Sequence, residues 1–411
     1  MRRAALLLLL LAACARRPIP APEPAPGAAP PPPAEGASVP APPAQPAVTG
    51  KTPAPTAKEP GAPGAPGAPV RPVTLVIGGD VTVGHHYEEY FDQQVSIGRT
   101  REEMFAYGFK EVKAVADSGD LFLVNLECPF TDSADKLPKN FNFRARPELV
   151  NTLLAGGVDV VSLANNHMMD YGPQGLVDTL MTLEQAKIPH FGAGRTLAEA
   201  RRPAILTVGG IRFAFLGYFF LGDRNIEPPQ VYATETTPGV AGHYSDVDAM
   251  EKMLREDILA AKAQADVVLP FFHWGVESTY TPLPYQIRLA HAAIEAGAAG
   301  VLGSHPHVLQ AMELHQGAPA IYSMGNFVFG GNWNPKDKRS ALLKARFSPG
   351  GYLSSELIPL KTDRYPELPM QPIVATGAEA EDVLRLLAAS SAGLPRMLPE
   401  LEPYRPAGPP P

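Results

Sequence analysis

Val73-Thr-Leu-Val-Ile-Gly-Gly-Asp80 is an apolar, β-branched run that breaks into two glycines and then a carboxylate. A run of that length and composition reads as a buried strand, with the acid placed beyond its carboxyl end. The same grammar recurs downstream. Leu121 to Val124, Val158 to Leu163, Asp266 to Phe272 and Gly300 to Leu302 are further strand-like runs. Amphipathic stretches fall between them at Glu102 to Val115, Pro147 to Ala155, Gly175 to Ala186, Asp246 to Gln264 and Pro284 to Ala296. Strands alternating with helices predict an α/β fold. Beyond Ala311 the pattern changes. Ala318 to Ser323, Ala341 to Phe347 and Tyr352 to Pro359 succeed one another without helices, before a last helix over Ala378 to Ala389. The sheet arrangement is therefore expected to be mixed rather than purely parallel.

Each early strand ends in polar residues. After Gly78-Gly79-Asp80 come Asn125-Leu126-Glu127, Asn165-Asn166-His167, His273-Trp274-Gly275 and Ser304-His305-Pro306-His307. Singly, most have ordinary explanations: Asp80 as a turn residue or helix cap, Asn165-Asn166 as a turn, His273 as a core histidine. Glu127 is harder to place so, because a carboxylate at the end of an apolar strand is costly to bury without a partner. In His305-Pro306-His307 the proline restricts the residue before it and presents two imidazoles in a defined extended or turn geometry. Ligands of open α/β sheets bind beyond the carboxyl ends of the strands. Two carboxylates, an asparagine and three or four histidines gathered there match a metal centre of mixed nitrogen and oxygen ligands.

With these motifs the chain resembles the CapA family, named for poly-γ-glutamate capsule synthesis and similar in fold to the calcineurin-like phosphoesterases. The resemblance rests on Gly79-Asp80-Val-Thr-Val-Gly84, Asn125-Leu126-Glu127, Ala164-Asn165-Asn166-His167-Met-Met-Asp170-Tyr171-Gly172, His273-Trp274-Gly275 and Gly303-Ser304-His305-Pro306-His307. It takes in Phe141-Asn142-Phe143-Arg144, Gly192-Ala193-Gly194 and Tyr322-Ser323-Met324-Gly325-Asn326-Phe327, and runs from about Thr74 to Phe329. It implies a four-layer sandwich, two mixed β-sheets flanked by helices, and one or two divalent ions (Mn, Fe or Zn). Asp80 and His307 would hold one ion, Asn166, His273 and His305 the other, and Glu127 would bridge them. His167 would act near the leaving group, oriented by Asp170. Arg144 is an expected anion clamp, and Asn165, Trp274 and Asn326 are expected substrate contacts. Two positions depart from the wider phosphoesterase pattern. The first motif has Thr82 where a histidine is usual, and the bridging acid is Glu127 rather than aspartate. His85 and His86 lie close enough in sequence to compensate, or to touch substrate.

The chain's ends suggest its location. Met1-Arg2-Arg3, the apolar Ala4 to Leu11 and Leu11-Ala12-Ala13-Cys14 have the layout of a secretory signal. The apolar part is shorter than the roughly 20 residues that span a bilayer. Leu-Ala-Ala-Cys resembles a lipobox, which implies residues 1–13 as signal, lipidation of Cys14, and a membrane-anchored lipoprotein of the bacterial envelope, on its periplasmic or extracellular face. Residues 14–70 are rich in Pro, Ala and Gly and read as a semi-rigid tether, with a reach on the order of 170 Å if extended as polyproline II. The folded domain is expected over 71–394, with 395–411 as a Pro-rich tail. With Cys14 acylated, Cys128 is left alone and no internal disulfide can form. The net charge of −7, without a basic stripe, argues against nucleic acid as a partner. The expected partners are an anionic polymer or phosphoester substrate, the membrane through the anchor, and capsule-synthesis machinery. Two other readings stand beside the hydrolase: a non-catalytic, polymer-binding scaffold, and a hydrolase using Cys128 as nucleophile.

Overall fold

The computed structural model describes residues 70–406; the expected signal segment, Cys14 and the tether lie outside them. Two sheets dominate. The larger has eight strands, in the order Ile373–Val374, Gly351–Lys361, Arg339–Ser348, Val73–Thr82, Leu121–Leu126, Val160–Ser162 and His190–Phe191, with Asn326–Phe329 also paired to Val73–Thr82. The smaller runs Leu302–Ser304, Val267–Trp274, Ile211–Phe220, Ala204–Val208. Both mix parallel and antiparallel pairs, as expected.

Three apolar clusters show how the layers stack. Because successive strand residues face opposite sides, each sheet has two faces to cover. One face of the larger sheet, through Val76, Phe122 and Val161, packs on Phe91, Leu153 and Leu180 of the helices His86–Ser96, Val150–Gly156 and Gly172–Ala186. Its other face, through Leu75, Leu123 and Leu343, meets Phe213, Leu269 and Phe271 of the smaller sheet. The far face of the smaller sheet, through Leu216, Tyr218 and Phe272, is covered by Leu254, Ile258 and Leu289 of the helices Val247–Lys262 and Pro284–Glu295. Helices, sheet, sheet, helices make the expected four-layer sandwich.

The first strand changes partners along its length, and its two glycines permit this. Up to Ile77 it pairs antiparallel with Arg339–Ser348; from Asp80 it pairs parallel with Asn326–Phe329. At the switch the Gly325 carbonyl accepts from the Asp80 amide at 3.0 Å, and a Cβ on Gly79 would lie 1.9 Å from that oxygen. A side chain there would force the strands apart and displace Asp80.

Two expectations are corrected here. The antiparallel hairpin of Ala204–Val208 and Ile211–Phe220, turning at Gly209-Gly210, belongs to the core of the smaller sheet although the expected strands did not include it. The expected tail also begins too early. Met397, Leu398 and Leu401 are buried in the core between the sheets, and Pro399–Tyr404 forms a short 3₁₀ helix against it. Prolines at the ends of this segment hid its apolar residues.

Candidate metal centre

Six polar side chains from both sheets meet at the carboxyl ends of the parallel strands. The larger sheet brings Asp80, Glu127 and Asn166; the smaller brings His273, His305 and His307 from its last two strands and the loop after them. Their ligand atoms form two groups that share one residue. Glu127, His273 and His305 have ligand atoms within 4.8 Å of one another, and so do Asp80, Glu127 and His307. The division is the one the resemblance implied, with Glu127 common to both.

The fine geometry favours cations. Ser304 is hydrogen-bonded to Asp80, and His273 Nδ1 lies 3.1 Å from its Oγ. If that nitrogen donates to Ser304, His273 Nε2 bears a lone pair. This Nε2 sits 2.9 Å from Asn166 Oδ1, 3.0 Å from His305 Nδ1 and 3.5 Å from Glu127 Oε1. With His305 Nδ1 also unprotonated, four electron-pair donors would converge there, a set that a cation among them would satisfy. In the second group, His307 Nδ1 donates to Asn326 Oδ1 at 2.8 Å, which directs its Nε2 towards Glu127 Oε1, 3.9 Å away. Outer partners of this kind fix imidazole tautomers in metal sites.

Glu127 gives the clearest test of fit. It is fully buried, and neither carboxylate oxygen has a hydrogen-bond partner. Buried polar atoms are nearly always satisfied, and an unmatched carboxylate costs several kcal/mol, so these oxygens fit a cation as their partner. Burial, then the charge of Asp80, pushes Glu127 well above the usual carboxylate range. Burial also raises Asp80, against the pull of His307 and of hydrogen bonds from Ser304 and Asn125. Burial, then neighbouring imidazoles, holds His273 and His305 well below the ordinary histidine value. Their neutral rings are the form that binds metal.

The backbone is bent to achieve this. His305 has φ 103° and His307 φ 57°, a region that non-glycine residues rarely occupy. The sequence predicts an extended or turn geometry before Pro306; instead the positive φ lets the His305 amide donate to Asp80 Oδ2 at 3.3 Å. Thr82, where the resemblance led one to expect a histidine, is buried and donates its hydroxyl to the Glu127 carbonyl at 3.2 Å. It holds the backbone of the shared acid and adds no ligand.

Beside the cluster, His167 Nδ1 lies 2.7 Å from Asp170 Oδ2, and its Nε2 is turned to Glu127 Oε1 at 4.0 Å. The Phe143 ring stacks on the imidazole at 4.1 Å, and its amide donates to Asp170 Oδ2 at 2.6 Å. Lys139 was not anticipated. Its ammonium, mostly buried, reaches Asp170 Oδ1 at 2.9 Å, Glu227 Oε2 at 2.8 Å and the Asn166 carbonyl at 2.9 Å. Glu227 Oε1 in turn accepts from Asn166 Nδ2. Lys139 lies two residues before the quoted Phe141 motif. Glu227 lies in the loop after the unexpected hairpin, where no sequence signal marks it.

Three expected substrate contacts, Trp274, Asn165 and Arg144, have other places, and a fourth, Asn326, stays at the site. Trp274 is fully buried on the far face of its strand, stacks on Phe272 and donates its indole N–H to the Tyr322 carbonyl; it is a core residue. Asn165 is also buried. It donates to Asn125 and to the Leu126 carbonyl and accepts from the His167 amide, so it shapes the loop and does not face a ligand. The Arg144 guanidinium donates to the Asp132 and Ser133 carbonyls and lies over the Tyr171 ring, engaged away from the cluster. Asn326 orients His307 and also lines the cavity beside it. His85 and His86 join neither ligand group; His86 pairs with Glu89. Cys128 is buried and its thiol is pushed up to about 12, chiefly by burial, which leaves no reactive thiolate at neutral pH.

The site is a buried His/Asp/Glu/Asn cluster at the strand ends of a four-layer α/β sandwich. Residues 74–331 match the family model described as bacterial capsule synthesis protein PGA_cap. The chain belongs to that family. It is similar to the capsule biosynthesis protein CapA of Bacillus anthracis, 31% identical over 295 residues covering 70% of this chain and 67% of the relative. The PGA biosynthesis protein CapA of Bacillus subtilis (strain 168) is also 31% identical, over 69% of this chain and 70% of its own length. A probable polyglutamine synthesis accessory protein of Mycobacterium tuberculosis is 29% identical over 71% and 85%. Among solved structures, TT1561 of Thermus thermophilus covers 67% of this chain and 99% of its own at 10% identity, with a TM-score of 0.34.

Proposed function

We propose that this member of the capsule-synthesis family is a metal-dependent hydrolase of phosphoester type, anchored to the cell envelope through Cys14 and acting in the making of a poly-γ-glutamate or related exopolymer. The observation that carries the reading is Glu127: a buried carboxylate with two unpartnered oxygens, shared by two ligand groups. Asp80, Glu127 and His307 would hold one divalent ion; Glu127, Asn166, His273 and His305 the other. Bound there, divalent ions would supply Lewis-acid charge to activate water and to offset charge developing on the group under attack. The protein's own residues have the remaining tasks. Asp170 accepts from His167 Nδ1 and fixes the ring, so that a proton on Nε2 is aimed into the site for delivery to a leaving oxygen. Lys139 balances the charge of Asp170 and ties it to the loop that carries Asn166. Asn326 keeps His307 in its ligating tautomer.

The envelope placement rests on the sequence of residues 1–14 and on the capsule names of the relatives. No helix among the described residues is long and apolar enough to cross a membrane. The test is hydrolysis of an aryl phosphodiester by the full chain as Mn²⁺ is added. Turnover that falls by at least about 100-fold in His305→Ala and in His167→Ala supports the reading. A metal-loaded protein without turnover would leave the cluster as the anchor of a polymer-binding scaffold.

A further inference from the structure

Glu227 joins neither ligand group, yet it is buried against the centre, with 8% of its surface exposed, and the proposed reaction gives it no task. Its carboxylate closes a ring with two other residues. Glu227 Oε1 accepts from Asn166 Nδ2 at 3.3 Å, and Glu227 Oε2 lies 2.8 Å from the Lys139 ammonium. That ammonium donates to the Asn166 carbonyl at 2.9 Å, so Asn166 is held at its backbone and at its side chain. Lys139 has a third oxygen, Asp170 Oδ1, at 2.9 Å and a side chain only 10% exposed. It is committed to the protein and is not a free clamp for a bound anion.

The two ends of an amide are not equivalent. The asparagine oxygen can ligate a cation, whereas its NH₂ group can only donate. A carboxylate paired with an ammonium accepts and does not donate. Facing Glu227, the Asn166 amide must present its NH₂ group, which leaves Oδ1 directed at the ligand set, 2.9 Å from His273 Nε2. Turned over, it would set oxygen against carboxylate and aim two protons at the position of the cation.

Glu227 is itself fixed from the other sheet. Asn166 follows Val160–Ser162 of the larger sheet, and Glu227 follows Ile211–Phe220 of the smaller. The Glu227 amide donates to Asn225 Oδ1 at 3.0 Å; Asn225 Nδ2 donates to the Tyr232 hydroxyl at 2.8 Å and to the Tyr244 carbonyl at 2.7 Å. The Tyr232 ring stacks on Phe219, which is paired with His273 on the neighbouring strand. A ligand of one sheet is thus oriented by a loop anchored beside a ligand of the other.

We infer that Glu227 is a positioning residue: it sets the amide orientation of Asn166, and through it the affinity of the ion site of Glu127, Asn166, His273 and His305. The inference rests on the reading of Asn166 as a metal ligand and does not require turnover. The full chain is titrated with Mn²⁺ by calorimetry beside Glu227→Gln and Asn166→Ala, with melting in chelator to verify that each variant is folded. Glutamine donates as well as accepts, so it tolerates either end of the amide. The binding step that Asn166→Ala removes should weaken about ten-fold or more in Glu227→Gln, while any step that Asn166→Ala keeps should stay within about two-fold. Adding Glu227→Gln to Asn166→Ala should have no further effect, because Glu227 acts through Asn166. An effect that persists without Asn166, equal weakening of every step, or no weakening at all overturns the inference. A readout without metal separates it from the ligand assignment. In chelated protein labelled at asparagine nitrogen, the Asn166 NH₂ resonances, assigned by their loss in Asn166→Ala, should form one pair that exchanges slowly with solvent. Glu227→Gln should double or broaden that pair, and an unchanged pair overturns the positioning role. A fixed pair in a parent protein that binds no Mn²⁺ counts against the metal assignment alone.

Discussion

Glu127→Gln keeps the volume of the shared ligand and removes its charge, so its two consequences have opposite signs. Metal affinity should fall by at least about ten-fold, because both ligand groups lose their common anion. In the presence of chelator at about pH 8 the variant should nevertheless unfold less readily than the parent, by about 1 kcal/mol or more, since an unmatched buried carboxylate is gone. Urea titration of both proteins with and without Mn²⁺ checks this; a chelated variant less stable than the parent would mean that Glu127 has a structural partner. The ligands are legible in the sequence because each closes an apolar run, where a charged or imidazole side chain needs a reason. Trp274 departs from its expected role for a reason the sequence also contains. It follows His273 on one strand, and neighbours on a strand face opposite ways, so only one of the two can face the site. Arg144 cannot be placed in this way, because it belongs to a loop whose path depends on distant carbonyls.

Among the elements, the first strand carries the most information per residue. Its apolar half builds the core, and its glycine pair marks where the neighbouring strand changes from Arg339–Ser348 to Asn326–Phe329. Gly79→Ala should destabilise the fold by about 1–3 kcal/mol or more, because the added methyl meets a backbone carbonyl that cannot turn aside. It should also weaken metal binding, since Asp80 is held by the same contact. Thermal melts with paired metal titration give both numbers; an unchanged melting temperature would contradict the strand switch. The order of strands and helices is readable from periodicity, but two features are not. The hairpin turning at Gly209-Gly210 has a glycine-pair turn signal, yet the expected strands omit it and with it the loop bearing Glu227. The packing of Met397, Leu398 and Leu401 is non-local, set by the gap between two sheets.

In the whole molecule the site lies where two sheets bring their strand ends together, and its charge ties stability to pH. Burial holds His273 and His305 well below their ordinary 6.5, so on acidification the unfolded chain takes up protons first. Stability from the neutral rings is present above 6.5 and lost as pH falls from there through the lower folded values. Glu127 and Asp80 act oppositely. Raised well above 4.5 and above 3.8, they favour the folded chain at low pH, and that contribution is lost as pH rises through their folded values. A bound divalent ion offsets the second loss and requires the deprotonated ligands. The melting-temperature gap between metal-loaded and chelated protein should therefore widen from about pH 5 to about pH 8 at fixed metal concentration. A constant gap would mean that the ion binds elsewhere.

The most direct measurement is divalent metal content of the purified full chain after incubation with Mn²⁺, Fe²⁺ or Zn²⁺ and exhaustive removal of free ion, beside His305→Ala treated identically. Stoichiometric metal in the parent, falling to less than one equivalent in the variant while its fold is retained, is the expected result. A parent protein that retains no metal, or a variant that retains as much as the parent, would contradict the assignment of Glu127, His273 and His305 as ligands.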